Sequence, residues 1–244
     1  MKASKDKLND ISWENLKETR QIDNILTRKP QTKLRLATVN VGSLVGRSAE
    51  VVETLGRRKV DIVALQEVRY KNEGARTLKG GNSAYKLFWK GETTGHGGVG
   101  LMVKLELVES VMEVRRVSAR IISMDLVIQG KIITIISVYG PQSGRIDEEK
   151  EKFYDELTTE IKSSNGNCFV MGDFNGHVGT FTNGCDGVHG GFGWGQRNID
   201  GERTLDLADS CDLVVGNTFF KKDPEKLITY KSGYQATMID YVLV

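Results

Sequence analysis

Oxygen-bearing side chains stand at the ends of several apolar runs in this sequence. Asn40 ends LRLATVN, Glu67 ends DIVALQE, Tyr139 ends IITIISVY, Asp173 and Asn175 end CFVMGDFN, and Asp240 lies within TMIDYVLV. Any one of them could simply turn the chain, but side chains at strand ends converge on one rim in layered α/β folds. Oxygen ligands without clustered histidine or cysteine favour a hard cation such as Mg²⁺ or Mn²⁺, which can hold phosphate. The pattern therefore predicts a divalent-metal site for a phosphate group.

Basic side chains follow the same runs. Arg69, Arg145 and Arg197 lie in the predicted loops, and arginine offers a two-pronged donor to phosphate. Together with Asn198 and His177 they form the predicted substrate-binding set. A solvated surface charge is the simpler explanation for any single arginine, and a histidine in a polar loop usually has no chemical role.

A glycine-rich motif over 95–100, GHGGVG, matches the spacing GxGxxG. A dinucleotide-binding loop must open a helix, whereas here LMV continues as a strand, so that site is excluded. A kinase loop is excluded too, because the chain has no HRD and its DF is followed by Asn. The glycines instead favour a tight hairpin or a close approach of the backbone.

The elements that must position these residues alternate between strands and helices. Period-two and continuous apolar runs predict strands over 34–40, 61–68, 86–91, 98–109, 119–128, 131–140, 168–175, 213–217 and 237–244. Periodic apolar residues predict helices over 48–59, starting at Ser48, and over 147–163 and 202–212. Hairpins, one of them at Gln129-Gly130, mix with helix-separated strands, which predicts an α/β fold of two mixed sheets packed face to face with helices outside.

Composition excludes several classes of protein. The chain has 244 residues, 39% hydrophobic and 27% charged, as expected of one globular α/β domain. A net charge of +2 excludes a chromatin-type protein that binds nucleic acid by bulk charge. Three widely spaced cysteines argue against a disulfide framework or a zinc ribbon, and no apolar run is long enough for a membrane span. Residues 1–33 are predicted to form a basic helix and linker.

The runs LRLATVNVGSL, DIVALQEVR, GGVGLMV, SVYGPQSG, VMGDFNGHVG and MIDYVLV resemble, in that order, the endonuclease/exonuclease/phosphatase superfamily over residues 34–244. The stretches DGERTLDLADSCDLVVGNTFF and LITYKSG are most similar to non-LTR retrotransposon endonuclease domains and craniofacial development protein 2-like sequences. The resemblance implies a four-layer α/β sandwich like that of deoxyribonuclease I. It also implies metal-dependent hydrolysis of phosphodiesters, with Mg²⁺ or Mn²⁺ as cofactor.

The resemblance also implies a role for each matched residue. Glu67 and Asn40 would hold the metal, Tyr139 would contact the scissile phosphate, Asp173 would orient or deprotonate water, Asn175 would bind phosphate and Asp240 would orient a histidine. Where some relatives carry a further acid two positions after the Asn, this chain has Gly42. The implied partner is DNA, with RNA as the alternative, and the implied protein is a monomer that does not bind a membrane. A nucleic-acid substrate implies an intracellular, nuclear location.

The family's final strand is expected to bring an Asp-His or Ser-His pair after MIDYVLV. The sequence ends at Val244, and its histidines are His96, His177 and His189. We therefore expect a domain over 34–244 that lacks its last strand, cleaves poorly and exposes TMIDYVLV as an open edge. Two alternatives stay open at this point: a non-catalytic remnant with weak metal or nucleic-acid binding, and a phosphatase of the same superfamily.

Overall fold

The structure is a computed structural model that describes residues 33–244, so the predicted basic helix and linker lies outside the described residues apart from Lys33. In this described part of the chain, two five-stranded sheets and a small two-stranded one make up the β structure. The strands are β1 (Leu36–Asn40), β2 (Ile62–Gln66), β3 (Glu73–Gly80), β4 (Ser83–Lys90), β5 (Val99–Lys104), β6 (Val111–Ser118), β7 (Ile121–Ile128), β8 (Lys131–Tyr139), β9 (Asn167–Asp173), β10 (Tyr230–Ser232), β11 (Gln235–Thr237) and β12 (Asp240–Leu243). Within residues 33–244 the α-helices are α1 (Ser48–Arg57), α2 (Asp147–Lys162) and α3 (Ile199–Ser210).

Each large sheet contains one parallel pair of strands. The first sheet has the order β1-β2-β5-β4-β3, with β1 and β2 parallel. The second has the order β12-β9-β8-β7-β6, with β8 and β9 parallel. A parallel pair needs a crossover, and α1 and α2 provide one for each sheet. The carboxyl ends of these four strands carry the polar residues that the sequence singled out.

Three apolar clusters hold the layers together. Between the sheets, Ile62 and Leu101 of the first sheet share a buried cluster with Ile135 of the second. Outside the first sheet a cluster includes α1, and outside the second sheet a cluster includes α2 and α3. Ile136 belongs to that outer cluster while its neighbour Ile135 faces the other sheet, because successive strand residues point to opposite faces. The predicted four-layer α/β sandwich is therefore confirmed.

Some predicted element boundaries were wrong. Residues Leu105–Ser110 form a 3-10 helix instead of continuing β5, because the chain leaves the sheet there to reach β6. The predicted strand over 213–217 makes a single bridge at Val215 and then a 3-10 turn over Gly216–Phe219. The edge strands β3 and β6 were missed because few of their side chains are buried, which leaves little apolar period to detect. The predicted start of α1 at Ser48, by contrast, is confirmed.

The outer edge of β12 is covered, contrary to the expectation of an open edge. Val214 and Val244 exchange two backbone hydrogen bonds of 2.8 and 3.1 Å, and Val242 N donates to Asn217 Oδ1. Exposed strand edges invite pairing with other chains, and this one already has partners from the segment 214–217.

Among residues 33–244, no helix has the length and apolarity needed to cross a membrane.

Candidate active site

The candidate site lies where the two parallel strand pairs end. Asn40 is the last residue of β1 and pairs with Gln66, immediately before Glu67. In the other sheet Asp173 ends β9, with Tyr139 on one side in β8 and Asp240 on the other in β12. The sheet register therefore places three of these side chains in neighbouring strands, and packing of the two sheets brings the remaining pair opposite them.

Hydrogen bonds join the two sheets at this point. Asn40 Nδ2 donates to Glu67 Oε1 at 3.1 Å and to Asp173 Oδ2 at 3.2 Å, so one amide bridges both carboxylates. The Gly42 amide donates to Asn40 Oδ1 at 3.0 Å, which fixes the orientation of the Asn40 side chain. Tyr139 OH donates to Glu67 Oε1 at 3.2 Å. The predicted residues Asn40, Glu67, Tyr139 and Asp173 therefore form one connected cluster.

Glu67 is held as a charged group in a strained stretch of backbone. Partial burial raises the pKa of its carboxyl, but hydrogen bonds from Arg69, Asn40 and Tyr139 outweigh burial and leave the pKa below its usual value. Arg69 Nη2 lies 2.9 Å from Glu67 Oε2. Glu67 and Arg69 have φ of 55° and 54°, in the left-handed region that non-glycine residues rarely occupy. Such strain concentrates at functional sites.

Asp173 and Asn175 form a second bonded unit. The Asn175 backbone amide donates to Asp173 Oδ1 at 3.0 Å, and the Asn175 side-chain Nδ2 donates to the Gly140 carbonyl at 2.9 Å. Asn175 also has a positive φ, of 52°. Burial and the charge of Glu67 raise the pKa of the Asp173 carboxyl, against the opposing hydrogen bonds from Asn40 and Asn175. Asp173 is therefore a stronger base than an ordinary aspartate.

Asp240 lies beside Asp173 in an environment that disfavours charge. Burial and the charge of Asp173 raise the pKa of Asp240 to about 7, although a hydrogen bond with Thr229 acts in the opposite direction. Thr229 Oγ1 also accepts from the Asp240 amide at 3.2 Å. Within residues 33–244, no histidine hydrogen-bonds this carboxylate. The role of Asp240 in orienting a histidine therefore stays a prediction.

The raised pKa of Asp240 makes stability depend on pH. Because the folded protein keeps this proton up to about pH 7 and the unfolded chain loses it near pH 4, stability should fall as pH rises between these values. With both proteins in EDTA, the free energy of unfolding should fall between pH 5 and pH 8 by about 2 kcal/mol more in the wild type than in Asp240→Asn. Urea denaturation at both values measures it. An equal pH dependence in wild type and variant would contradict the raised pKa.

Two positions at the site escaped the sequence prediction. Gln66 is fully buried between the sheets, where Thr38 Oγ1 donates to its Oε1 and its Nε2 donates to Ser137 Oγ, each at 3.2 Å. Arg120 donates to the Tyr139 carbonyl at 3.2 Å, and its guanidinium lies 5.7 Å from the Tyr139 ring centroid. A glutamine inside an apolar run was a usable signal for Gln66. Arg120 was placed within the predicted strand over 119–128, whereas it lies in the turn between β6 and β7.

The predicted substrate-binding residues separate into two groups. Arg69 and Arg145 carry partly exposed side chains, 48% and 56% accessible, paired with Glu67 and Glu149 respectively. Arg197 instead donates to the carbonyls of residues 178, 181, 182 and 183 and to Cys185 Sγ. These contacts use all five of its N–H donors within the glycine-rich loop that joins β9 to α3. The geometry therefore gives Arg197 a structural role, while phosphate contacts by Arg69 and Arg145 stay predictions.

Asn198 and His177 are joined by backbone contacts. Asn198 caps α3, its Oδ1 accepting from Gly201 N at 2.8 Å and from His177 N at 2.9 Å. The backbone amide of Asn198 donates to the His177 carbonyl. The capping oxygen of Asn198 is thus engaged within the protein, and an imidazole role for His177 stays a prediction. Trp194 connects the same glycine-rich loop to β11, because its Nε1 donates to the Ala236 carbonyl at 2.9 Å.

The oxygen donors of the cluster fit a hard cation. Glu67 Oε2 accepts from Arg69 alone and Asn40 Oδ1 from Gly42 alone among the described residues, so each oxygen keeps a lone pair. Burial is the largest cause of the raised pKa of Asp173 and of Asp240, and the neighbouring carboxylates Glu67 and Asp173, respectively, raise it further, so three carboxylates act on one another at this edge. No group of three or more His, Cys, Asp or Glu within 33–244 has the arrangement of a metal centre. The predicted metal-binding pair, Glu67 and Asn40, is not such a group because the Asn40 ligand is an amide oxygen.

Comparison with known proteins gives a consistent result. The model of the Endonuclease/Exonuclease/phosphatase family matches residues 37–244. Craniofacial development protein 2 of Tragulus javanicus is 28% identical over 215 residues, which cover 85% of this chain and 36% of that protein. The chain thus spans about a third of the length of this curated relative.

Two solved structures share the fold. The endonuclease domain of TRAS1, a telomere-specific non-LTR retrotransposon, superposes with a TM-score of 0.58 at 15% identity, covering 86% of this chain and 84% of that one. An AP endonuclease from Archaeoglobus fulgidus superposes with a TM-score of 0.59 at 20% identity, covering 86% of each chain. At these identities the likeness establishes the fold alone.

Proposed function

The chain belongs to the endonuclease/exonuclease/phosphatase family, and from that premise we propose that it is a divalent-metal-dependent phosphodiesterase that nicks DNA. The observation that carries the proposal is the cluster in which Asn40 bridges Glu67 and Asp173 while Tyr139 donates to Glu67. It joins a charged metal-binding carboxylate, a basic carboxylate and a phenol donor at one edge of the sandwich. Because one chain supplies all four residues, we propose a monomeric enzyme.

Glu67 and Asn40 are the proposed ligands for Mg²⁺ or Mn²⁺. The depressed pKa of Glu67 keeps its carboxylate charged throughout the neutral range. A bound cation would supply positive charge to offset the charge on the phosphate and its leaving oxygen. The bond from Gly42 fixes Asn40 so that its amide N–H groups stay on the two carboxylates.

Asp173, Tyr139 and Asn175 are the proposed catalytic residues. Asp173 would accept a proton from the attacking water, since its raised pKa makes it a better base. Burial and the charges of Glu67 and Asp173 raise the pKa of Tyr139 to about 12, so its phenol keeps the proton and can donate to a phosphate oxygen. The side-chain amide of Asn175, held by its hydrogen bond to the Gly140 carbonyl, would donate to a second phosphate oxygen.

DNA is the proposed substrate. Among the solved structures that share the fold, one is the endonuclease domain of a retrotransposon and another is an AP endonuclease. Arg69 and Arg145 supply exposed positive charge in the loops after β2 and β8. With a net charge of +2, binding should depend on a few such contacts. We propose a retrotransposon origin for the domain, and a DNA substrate would place the active protein in the nucleus.

Nicking of supercoiled plasmid tests the function. The purified chain is incubated with plasmid and Mg²⁺, Mn²⁺ or EDTA, and open-circular product is followed on gels. We expect product with either metal and none with EDTA. A parallel assay for phosphate release from an inositol phosphate tests the phosphatase alternative. Phosphate release without nicking would replace the proposed substrate, and inactivity in both assays would contradict the proposed enzyme.

Arg145 and Arg197 should respond differently to the same substitution. Because Arg145 is exposed, Arg145→Met should weaken DNA binding, by about 1 kcal/mol or less for one surface contact, with little change in melting temperature. Arg197→Met should instead destabilise the fold by about 2–4 kcal/mol, because it leaves several loop carbonyls without donors. Fluorescence anisotropy with labelled DNA and thermal denaturation measure both effects. An unchanged melting temperature in Arg197→Met would exclude its structural role.

A further inference from the structure

Lys150 is a buried cation on α2 that the proposed mechanism does not use. Its side chain is 9% exposed, and its ammonium lies 2.8 Å from Asp200 Oδ1 and 3.1 Å from Asp200 Oδ2. The same ammonium donates to the Ser143 carbonyl at 3.0 Å. A buried ammonium is tolerated when it is paired and hydrogen-bonded, and Lys150 meets both conditions. It thereby connects α2, the first turn of α3 and the loop that follows β8.

The Ser143 contact leads to the loop that carries Asn175. Ser143 belongs to the segment 140–146, whose Gly140 carbonyl accepts from Asn175 Nδ2 at 2.9 Å. The Gly140 amide donates to the Asp173 carbonyl at 2.7 Å. Ser143 Oγ also lies 3.5 Å from the Asn175 carbonyl. The segment 140–146 therefore holds both the backbone and the side-chain amide of Asn175.

Asp200, the second partner of Lys150, is packed against the same loop. A Cβ added to Gly176 would lie 2.6 Å from the Asp200 backbone, and one added to Gly201 would clash with the His177 carbonyl. The chain after Asn175 is thus packed directly on the start of α3. Lys150 therefore joins two segments that each contact the chain at 175–176, because Ser143 hydrogen-bonds to the Asn175 carbonyl and the Asp200 backbone packs against Gly176.

We propose that Lys150 is a positioning residue: by joining the Ser143 carbonyl to the Asp200 carboxylate, it sets the orientation of the Asn175 amide. The inference rests on the proposed function for its catalytic consequence, but the structural consequence is independent of it. Asn175 has a positive φ, a conformation that persists only when surrounding contacts determine it. Loss of the ammonium releases both contacts that join Ser143 to α3.

The test compares Lys150→Met with Lys152→Met. Lys152 lies on the same helix, 76% exposed, and its nearest acid, Glu156, is 3.8 Å away. We expect Lys150→Met to shift or broaden the side-chain amide signals of Asn175 in ¹H–¹⁵N NMR spectra, assigned by comparison with Asn175→Asp. Plasmid nicking should lose about 10²-fold in kcat with little change in KM, as expected for misplacement of a positioned group. Lys152→Met should change neither.

The NMR result separates this proposal from the proposed function. Unchanged Asn175 signals in folded Lys150→Met would overturn the positioning role, whether or not the wild type cleaves DNA. If Lys150→Met shifts the Asn175 signals but the wild-type protein does not nick plasmid, the positioning role is supported and the proposed function is contradicted. If Lys150→Met does not fold, Asp200→Asn provides the second variant, because it removes the counter-charge of Lys150 and keeps the shape of the side chain. It should shift the same signals, and their constancy would overturn the proposal.

Discussion

Glu67→Gln is expected to lower Mg²⁺-dependent plasmid nicking by at least about 10²-fold, the loss typical of removing an electrostatic stabiliser of the transition state. The substitution keeps the size and shape of the side chain but removes the charge that would bind a hard cation. Because the pKa of Glu67 is depressed, wild-type Glu67 stays charged at neutral pH and the loss should be the same from pH 6 to pH 8. Initial nicking rates at several Mg²⁺ concentrations measure it.

A matched control is available in Glu73→Gln. Glu73 is an exposed glutamate on edge strand β3, paired with Lys90 at 2.7 Å. This variant should nick at the wild-type rate. Circular dichroism should be the same for both variants and the wild type. Full activity of Glu67→Gln at limiting Mg²⁺ would remove Glu67 from the proposed metal site.

Asp173→Asn is expected to lower the nicking rate by about 10²–10⁴-fold, the range for loss of a general base. Asparagine at this position keeps the size and shape of the side chain and one acceptor oxygen, which can still accept from the Asn175 backbone amide, but its NH2 group cannot accept from Asn40 Nδ2. Because Asp173 would act on the attacking water and not on the DNA, the loss should fall on kcat and leave KM nearly unchanged. Steady-state rates over a range of plasmid concentrations separate the two parameters.

The same variant should change the titration of its neighbour. Because the charge of Asp173 contributes to the raised pKa of Asp240, Asp173→Asn should bring that pKa below about 7. Carboxyl ¹³C chemical shifts followed against pH in EDTA measure it, with the exposed Asp209→Asn variant of α3 as the control. Wild-type cleavage by Asp173→Asn would rule out the proposed base, and an unmoved Asp240 titration would mean that burial alone causes the shift.

Local chemistry in the sequence was sufficient to predict the fold and the membership of the cluster. Near-continuous apolar runs predicted strands buried on both faces, and polar residues at their ends predicted one shared rim. Asn40, Glu67, Tyr139 and Asp173 meet there because their strands are the parallel pairs of the two sheets. Edge strands such as β3 were missed because few of their side chains are buried on either face, so their sequence has little apolar period.

What each charged residue does was decided by tertiary structure. Arg145 and Arg197 have the same side chain and both follow motif strands, yet one is exposed and the other donates all its N–H groups to loop carbonyls and a cysteine sulfur. Lys150 and Lys152 lie on one helix, yet only Lys150 is buried against Asp200. The sequence by itself determined which residues could do chemistry, because residue type and strand period are local properties. Which cations are free for a substrate depends on partners far apart in the chain, and only folding brings those partners together.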